Sequence, residues 1–256
     1  MDYSYHTHTF HCGHASDTPE EYIKTAIEGG IKYMGFSDHA PMVFDNGWEA
    51  GFRVPMAELD DYISELRSLR EKYKNEIEIA IGFEIEYYPE HFDKSAELLK
   101  AHGGEYFILG QHYVVPENIN NTHNYDLNKD EEKLNLYVIR IIEAMKTGKI
   151  TYVAHPDILG FVGDESLYCE KMTKLCRAAK EYNVPLEINF LGIRTQRRYP
   201  REQFWEIAGK IGSPVTFGFD AHKAVDAADI ESLAKAEELV KKYGLNYIGK
   251  PEIKWL

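Results

Sequence analysis

The sequence has few cysteines and no long hydrophobic runs. Its three cysteines, Cys12, Cys169 and Cys176, are odd in number and form no C-x-x-C motif, which argues against a disulfide scaffold and favours a reducing, cytoplasmic setting. No apolar run approaches the ~18 residues that a membrane-spanning helix needs. The first residues contain neither a basic nor an apolar stretch, so we expect no signal peptide.

Positive charge is also scarce. The 256 residues include 29 Lys and Arg against 42 Asp and Glu, a formal net charge of -13. A surface this acidic repels phosphate backbones, so nucleic acid is not expected as the main partner. The G-x-S-x-G elbow, the Walker loop and the C-x-x-x-x-x-R signature are all absent, and each of these motifs marks an enzyme class that is therefore not expected here.

Predicted strands and helices alternate along the whole chain. Strand-like runs such as residues 77–81 and 106–110 are followed by segments with the 3-to-4 apolar spacing of a helix. We count seven such units with no linker between them, so residues 1–256 are expected to form one domain. Repeated βα units build either a parallel α/β barrel or an open, doubly wound sheet.

The first predicted strand ends in an H-x-H pair. His6 and His8 are two residues apart, so on a strand they face the same side and lie ~7 Å apart along the chain. Two neutral imidazoles that converge in this way are typical ligands of zinc, iron or manganese. An H-x-H pair alone is weak support for a metal site, and the prediction depends on further ligands from later parts of the chain.

Metal-capable side chains recur where the later strands are predicted to end. They are His39, Glu84, His112, His155, Asp220 and His222. In a β/α barrel the carboxyl ends of the strands converge on one face, which carries the active site. This convergence favours the barrel over the open sheet. The role of His11 is left open, and no site role is assigned to His91, His102 and His123, which fall in helices or polar loops.

The order of these motifs resembles the PHP (polymerase and histidinol phosphatase) family of metal-dependent phosphoesterases. The motifs are H-x-H at residues 6–8, S-D-H at 37–39, G-F-E at 82–84, Q-H-Y at 111–113, A-H-P at 154–156 and D-A-H at 220–222. Further stretches at 12–15, 35–41, 186–189, 192–194 and 199–200 are similar to the monofunctional histidinol-phosphate phosphatases of that family. The resemblance covers almost the whole chain and implies a distorted (β/α)7 barrel that holds three divalent metal ions.

The resemblance also implies which residues hold each ion. The first ion would take His6, His8, Glu84 and Asp220. The second would share Glu84 and take His112 and His155. The third would take His39 and His222 with a ligand from the first loop, for which we prefer His14 over Asp17, since Asp17 also suits a helix N-cap. Zinc, iron and manganese fit these ligands about equally.

The expected reaction is hydrolysis of a phosphomonoester, with L-histidinol phosphate as the substrate that the resemblance implies. A metal-bound hydroxide held by Glu84, Asp220 and His155 would attack the phosphorus in line. Arginine can grip two phosphate oxygens at once, and we expect Arg194 in this role, with Arg197 and Arg198 as further candidates. The loop at residues 41–55 could give an acidic wall for the amine of the substrate.

Three other functions are compatible with the sequence. The first is a PHP phosphoesterase that acts on a nucleotide or a phosphotyrosine. The second is an amidohydrolase, another class of metal-dependent β/α barrel with an H-x-H pair on its first strand and a late aspartate. The third is a non-catalytic metal-binding module, although no ligand is missing that would suggest one. Whether the chain forms a homo-oligomer cannot be read from these features.

Overall fold

A single parallel sheet forms the centre of the molecule in the computed structural model, which describes residues 1–256. The sheet has eight strands in chain order. They are β1 (Tyr3–Ser4), β2 (Tyr33–Phe36), β3 (Glu78–Ile85), β4 (Tyr106–Leu109), β5 (Ile150–Val153), β6 (Leu186–Asn189), β7 (Pro214–Gly218) and β8 (Asn246–Tyr247). Seven of them are the predicted strands, and β8 is a two-residue addition that pairs with the start of β7.

The sheet curls until the chain after β1 meets the chain after β7. The His8 N–H donates to the Ala221 carbonyl (2.9 Å), and the Ala221 N–H donates to the His6 carbonyl (3.3 Å). The predicted barrel-like fold is therefore confirmed, and these contacts bring the first and the last predicted ligands together. The H-x-H pair lies just beyond β1 and not within it.

Helices follow the strands and cover the outside of the sheet. They are α1 (Pro19–Glu28), α2 (Leu59–Tyr73), α3 (Phe92–His102), α4 (Glu131–Lys146), α5 (Glu165–Glu181), α6 (Phe190–Arg194), α7 (Glu202–Ile211) and α8 (Ile230–Tyr243). Thr18 caps α1, and its backbone N–H donates to the Glu21 carboxylate (2.7 Å) in a capping box. None of these helices is long and apolar enough to cross a membrane.

Aromatic packing fills the inside of the barrel. The Tyr106 ring is fully buried, and its hydroxyl donates to the carbonyls of Tyr5 and Phe36 (3.0 Å each). A Cβ at Gly35 would lie 2.1 Å from the Tyr106 hydroxyl, and one at Gly82 would lie 2.4 Å from its ring. The two glycines therefore make room for this tyrosine, which closes the bottom of the barrel below the site.

Candidate metal centre

The two histidines after β1 point at a common centre. His6 and His8 are 0% and 1% exposed, and their Nε2 atoms are 3.1 Å apart. Both nitrogens lie 3.5 Å from Oδ1 of Asp220, which follows β7. The closure of the barrel between β1 and β7 thus brings together residues that are more than 200 positions apart in the chain.

Glu84, near the end of β3, is the middle of the cluster. Its carboxylate is 1% exposed and lies 2.9 Å from Nε2 of His155 and 3.0 Å from Nδ1 of His39. His112 Nε2 is 3.6 Å away. A Cβ at Gly110 would lie 1.9 Å from Glu84 Oε1, so the residue after β4 has to be a glycine for this carboxylate to occupy its place.

The outer part of the cluster contains His14 and His222. Their Nε2 atoms are 2.9 Å apart, and the His222 ring stacks on the His8 ring with centroids 4.4 Å apart. Asp17, the alternative to His14, turns away from the cluster because its Oδ2 accepts the backbone N–H of Ala224 (2.8 Å). The geometry therefore favours His14 over Asp17, and the N-cap of α1 is Thr18 and not Asp17.

The donor atoms of this cluster fit divalent cations. Both oxygens of Glu84 and Oδ1 of Asp220 are buried without a hydrogen-bond partner, although a buried carboxylate is costly unless it is paired or coordinates a metal. Several triples of its histidine and carboxylate donor atoms lie within 4.8 Å of one another. The set contains only nitrogen and oxygen donors, which suits zinc, iron and manganese.

Electrostatics acts on the proposed ligands in different directions. Burial alone would lower the pKa of His6 and of His155, but the adjacent carboxylates, mainly Glu187 for His6 and Glu84 for His155, raise both pKa values above the ordinary one. Burial lowers the pKa of His8 and of His39 well below the ordinary value, so both imidazoles are neutral. Burial alone would raise the pKa of Glu84, but the adjacent imidazoles of His112, His39 and His6 hold it well below its usual range. A neutral imidazole and an ionised carboxylate are the forms that bind a cation.

Backbone strain is concentrated in this cluster. His155 has a φ of 31° and Asp220 has a φ of 47°, which is the left-handed region that non-glycine residues rarely adopt. Both residues lie within two positions of a strand end. Strain of this kind persists where the surrounding structure fixes the side chain in a functional position.

A second layer of polar residues holds the ligands, and we did not predict it. Glu187 on β6 accepts a hydrogen bond from His6 Nδ1 (2.8 Å) and from the His155 backbone N–H (3.0 Å). The Asn189 side-chain amide donates to Glu187 (2.8 Å) and to Asp220 Oδ2 (3.0 Å). Such partners fix the orientation of a ligand. Only the position of these residues at the end of a predicted strand could have indicated their role.

The arginines are arranged differently from our prediction. Arg194 is turned away from the cavity, donates to the backbone carbonyls of Phe219 and Asp220 and lies near Asp226. Arg198 donates to the Tyr125 carbonyl and also does not reach the cavity. Arg197 does line the cavity and donates to the Tyr199 hydroxyl (3.1 Å). Arg194 and Arg198 are engaged in holding loops, and Arg197 is the one of the three predicted arginines that lines the cavity.

A cavity of about 530 Å³ opens onto the donor cluster. Its wall beyond the predicted ligands is formed by Phe52, Tyr113, His123, Ile158, Leu191, Arg197 and Tyr199. The expected acidic wall from the 41–55 loop is wrong. Asp45 pairs with Lys94 on the surface, Glu49 accepts the Met56 N–H, and the loop presents Phe52 to the cavity instead.

Fold and site together define a class, namely α/β barrels with a divalent-metal centre at the carboxyl ends of the strands. The chain belongs to the PHP domain family, whose family model matches residues 4–190. The matched range contains eight of the ten predicted metal ligands, and Asp220 and His222 lie beyond its end.

Relatives within this family are named as phosphatases. The chain is 24% identical over 226 residues to a probable histidinol-phosphatase of Deinococcus radiodurans, with 85% of each sequence covered. It is 25% identical over 251 residues to the histidinol-phosphatase of Bacillus subtilis, covering 86% of this chain and 93% of the relative.

A solved structure confirms the fold. The histidinol phosphate phosphatase of Lactococcus lactis, complexed with zinc, L-histidinol and phosphate, superposes with a TM-score of 0.70 at 20% identity. The alignment covers 96% of this chain and 95% of that chain.

Proposed function

We propose that this protein is a metal-dependent phosphatase that hydrolyses L-histidinol phosphate to L-histidinol and inorganic phosphate. The observation that carries the proposal is the buried carboxylate of Glu84, which lies among imidazoles without a hydrogen-bond partner at the floor of the cavity. The relatives named histidinol-phosphatase support the choice of this ester.

The cluster would hold three divalent ions, in the ligand sets that the family resemblance implies, with His14 completing the third. Zinc, iron and manganese all suit these donors. When bound, such ions lower the pKa of water and neutralise the charge of a phosphate ester, so that water can attack the phosphorus while the P–O bond to the alcohol breaks.

The protein determines which ring nitrogen of several proposed histidine ligands carries the proton. Three histidines bond an oxygen acceptor through Nδ1: His6 reaches Glu187 at 2.8 Å, His14 reaches the Cys12 carbonyl at 3.3 Å, and His222 reaches the Asp220 carbonyl at 3.2 Å. Each of these bonds keeps the proton on Nδ1 and leaves the Nε2 lone pair free for a cation.

Other residues would bind the ester and shape its surroundings. Arg197 offers a guanidinium for the phosphate oxygens, and its hydrogen bond to Tyr199 fixes the position of the side chain. Phe52, Ile158 and Leu191 give the cavity apolar surface, which excludes water and strengthens the electrostatic contacts inside it.

Phosphate release from a panel of esters tests the proposal. The full chain, loaded with zinc, manganese or iron, would be assayed with L-histidinol phosphate, p-nitrophenyl phosphate, a nucleoside monophosphate and phosphotyrosine, and with amide substrates for comparison. We expect L-histidinol phosphate to give the highest kcat/KM. The proposal is wrong if the metal-loaded protein releases phosphate from none of these esters, or if it cleaves the amides instead.

A cytoplasmic location stays a prediction from the sequence.

A further inference from the structure

One histidine in the cavity wall has no place in the metal cluster. His123 lies in the segment between β4 and α4 and lines the cavity beside the proposed ligands. Its ring centroid is 5.5 Å from that of His112 and 5.1 Å from that of Tyr113. None of the groups of donor atoms that are close enough to hold an ion includes it.

The backbone of this segment is held firmly, so the ring has a defined position. The Lys133 ammonium donates to the His123 carbonyl (3.0 Å). The next residue, Asn124, donates its backbone N–H to the His112 carbonyl (2.6 Å) and its side-chain amide to the Gln111 carbonyl (2.9 Å). His123 is thereby fixed next to a proposed metal ligand.

Hydrogen bonding determines which nitrogen of His123 carries the proton. The Tyr125 backbone N–H donates to His123 Nδ1 at 2.9 Å, so Nδ1 is an acceptor and the ring is neutral with its single proton on Nε2. Nε2 has no partner within the protein and is not among the buried unpaired atoms, so it is an accessible donor.

The neighbours of His123 indicate which part of a substrate this donor meets. The Tyr125 ring stacks under the guanidinium groups of Arg197 and Arg198, at 5.6 Å and 4.0 Å from its centroid. The segments that carry His123 and Arg197 therefore contact each other on one side of the cavity. A phosphate group offers acceptor oxygens and the imidazole of histidinol offers one acceptor nitrogen, whereas the ammonium has no acceptor at all. The position of Arg197 on the same side of the cavity favours the phosphate, and inhibition by L-histidinol, which lacks the phosphate, separates the two acceptors.

We propose that His123 is a substrate-binding residue that donates its Nε2–H to a phosphate oxygen of the ester. This inference rests on the proposed function, because it assumes that a phosphate group enters the cavity. The bond joins a neutral donor to an anionic acceptor and adds no positive charge near the cations. It would therefore hold the phosphate without weakening metal binding.

Two substitutions separate this role from the structural role of the ring. His123→Asn keeps a side-chain oxygen near the position of Nδ1, where it can accept the Tyr125 N–H as in an Asx-turn, but loses the donor that reaches the cavity. His123→Gln extends an amide N–H toward the position of Nε2 but loses the contact with Tyr125. The probes are inorganic phosphate, whose binding is measured by calorimetry, and L-histidinol as a competitive inhibitor.

We expect His123→Asn to weaken the binding of inorganic phosphate roughly tenfold or more, as expected for one lost hydrogen bond to a charged group. KM for L-histidinol phosphate and for p-nitrophenyl phosphate should rise by the same factor, with unchanged inhibition by L-histidinol and unchanged metal content. His123→Gln should keep phosphate binding within about twofold and lower the Tm, because the Tyr125 N–H loses its acceptor.

Several results would overturn the inference. A loss of bound metal in both variants would show that His123 is a metal ligand. Equal losses of Tm and of phosphate binding in both variants would show that His123 has only a structural role. Unchanged phosphate binding by His123→Asn, in a protein that hydrolyses esters, would refute this inference and leave the proposed function intact. If the wild-type protein binds phosphate through His123 but hydrolyses no ester, the proposed function fails and the inference stands.

Discussion

Glu84 and Glu86 lie two residues apart, and each is 1% exposed, yet their surroundings differ completely. The oxygens of Glu84 have no hydrogen-bond partner and face histidines. Glu86 accepts hydrogen bonds from Arg53 (3.1 Å), from the Tyr88 hydroxyl (2.5 Å) and from the Tyr113 N–H (3.2 Å). The same guanidinium also reaches Glu117 at 2.6 Å.

The comparison shows two ways to bury a carboxylate. In the Arg53 cluster (Arg53, Glu86, Tyr88 and Glu117), the protein provides the cation and the hydrogen bonds, and burial raises the pKa of Glu86 to about 7 against the opposing effect of Arg53. In the Glu84 cluster no arginine or lysine is present, and the groups around the carboxylate are imidazoles, which are common ligands of divalent cations.

Replacing Glu84 gives the largest expected effect on activity. Glu84→Gln should lower kcat/KM for L-histidinol phosphate by on the order of 10³-fold, since it removes the charge that two ions would share. The metal-free variant should be at least as stable as metal-free wild type, because an unpaired buried charge is gone. Elemental analysis and chemical denaturation test both parts. If Glu84→Gln keeps the metal content and activity of wild type, Glu84 does not bind metal and does not differ from Glu86 in this respect.

Replacing Arg53 should affect folding instead. Arg53→Met leaves Glu86 and Glu117 buried without their cation, which should lower the free energy of unfolding by about 3–5 kcal/mol. Arg70→Met is the matched control, because the Arg70–Glu105 pair is 36% and 23% exposed and should contribute at most about 1 kcal/mol. Equal losses in the two variants, measured by urea denaturation, would contradict the distinction.

Glu187 tests whether the second layer orients the metal ligands. Glu187→Gln keeps the size of the side chain but removes the negative charge that holds the proton on His6 Nδ1, and we expect metal affinity or activity to fall about 10- to 100-fold. Metal affinity is measured by competition with a chelator. A variant that binds metal as tightly as wild type would show that Glu187 only fills space.

The arginines give the smallest expected effect. Arg197→Ala should raise KM for the phosphate ester roughly tenfold, as expected for one lost charge-assisted contact, with little change in Tm. Arg194→Ala should lower the Tm and leave KM nearly unchanged, because its guanidinium holds the backbone carbonyls of Phe219 and Asp220. Steady-state kinetics and thermal denaturation of the two variants would show whether Arg197 or Arg194 binds the phosphate.

The sequence predicted those parts of the molecule that depend on local order along the chain. His39, His112 and His155 each come soon after a predicted strand, and parallel strands bring their carboxyl ends together, so the cluster could be foreseen. The direction of the Arg194 side chain could not be predicted, because it depends on backbone carbonyls that are distant in the sequence and adjacent only in the folded protein. His123 lies in a polar loop without periodicity, and only the fold shows that this loop lines the cavity.

The partners of Glu86 could not be predicted from the sequence either. Arg53, Glu86 and Glu117 come from three separate segments, and in the sequence each is an ordinary charged residue. No spacing rule links them, since their pairing is set by the loops that cover the end of the barrel.

Metal stoichiometry measured together with turnover tests the central claim most directly. The purified protein would be stripped with a chelator and titrated with zinc, manganese or iron while bound metal and phosphate release from L-histidinol phosphate are recorded. We expect no turnover in the stripped protein and an activity that rises as ions bind, up to three per chain. Full turnover by protein that retains no metal would contradict this expectation.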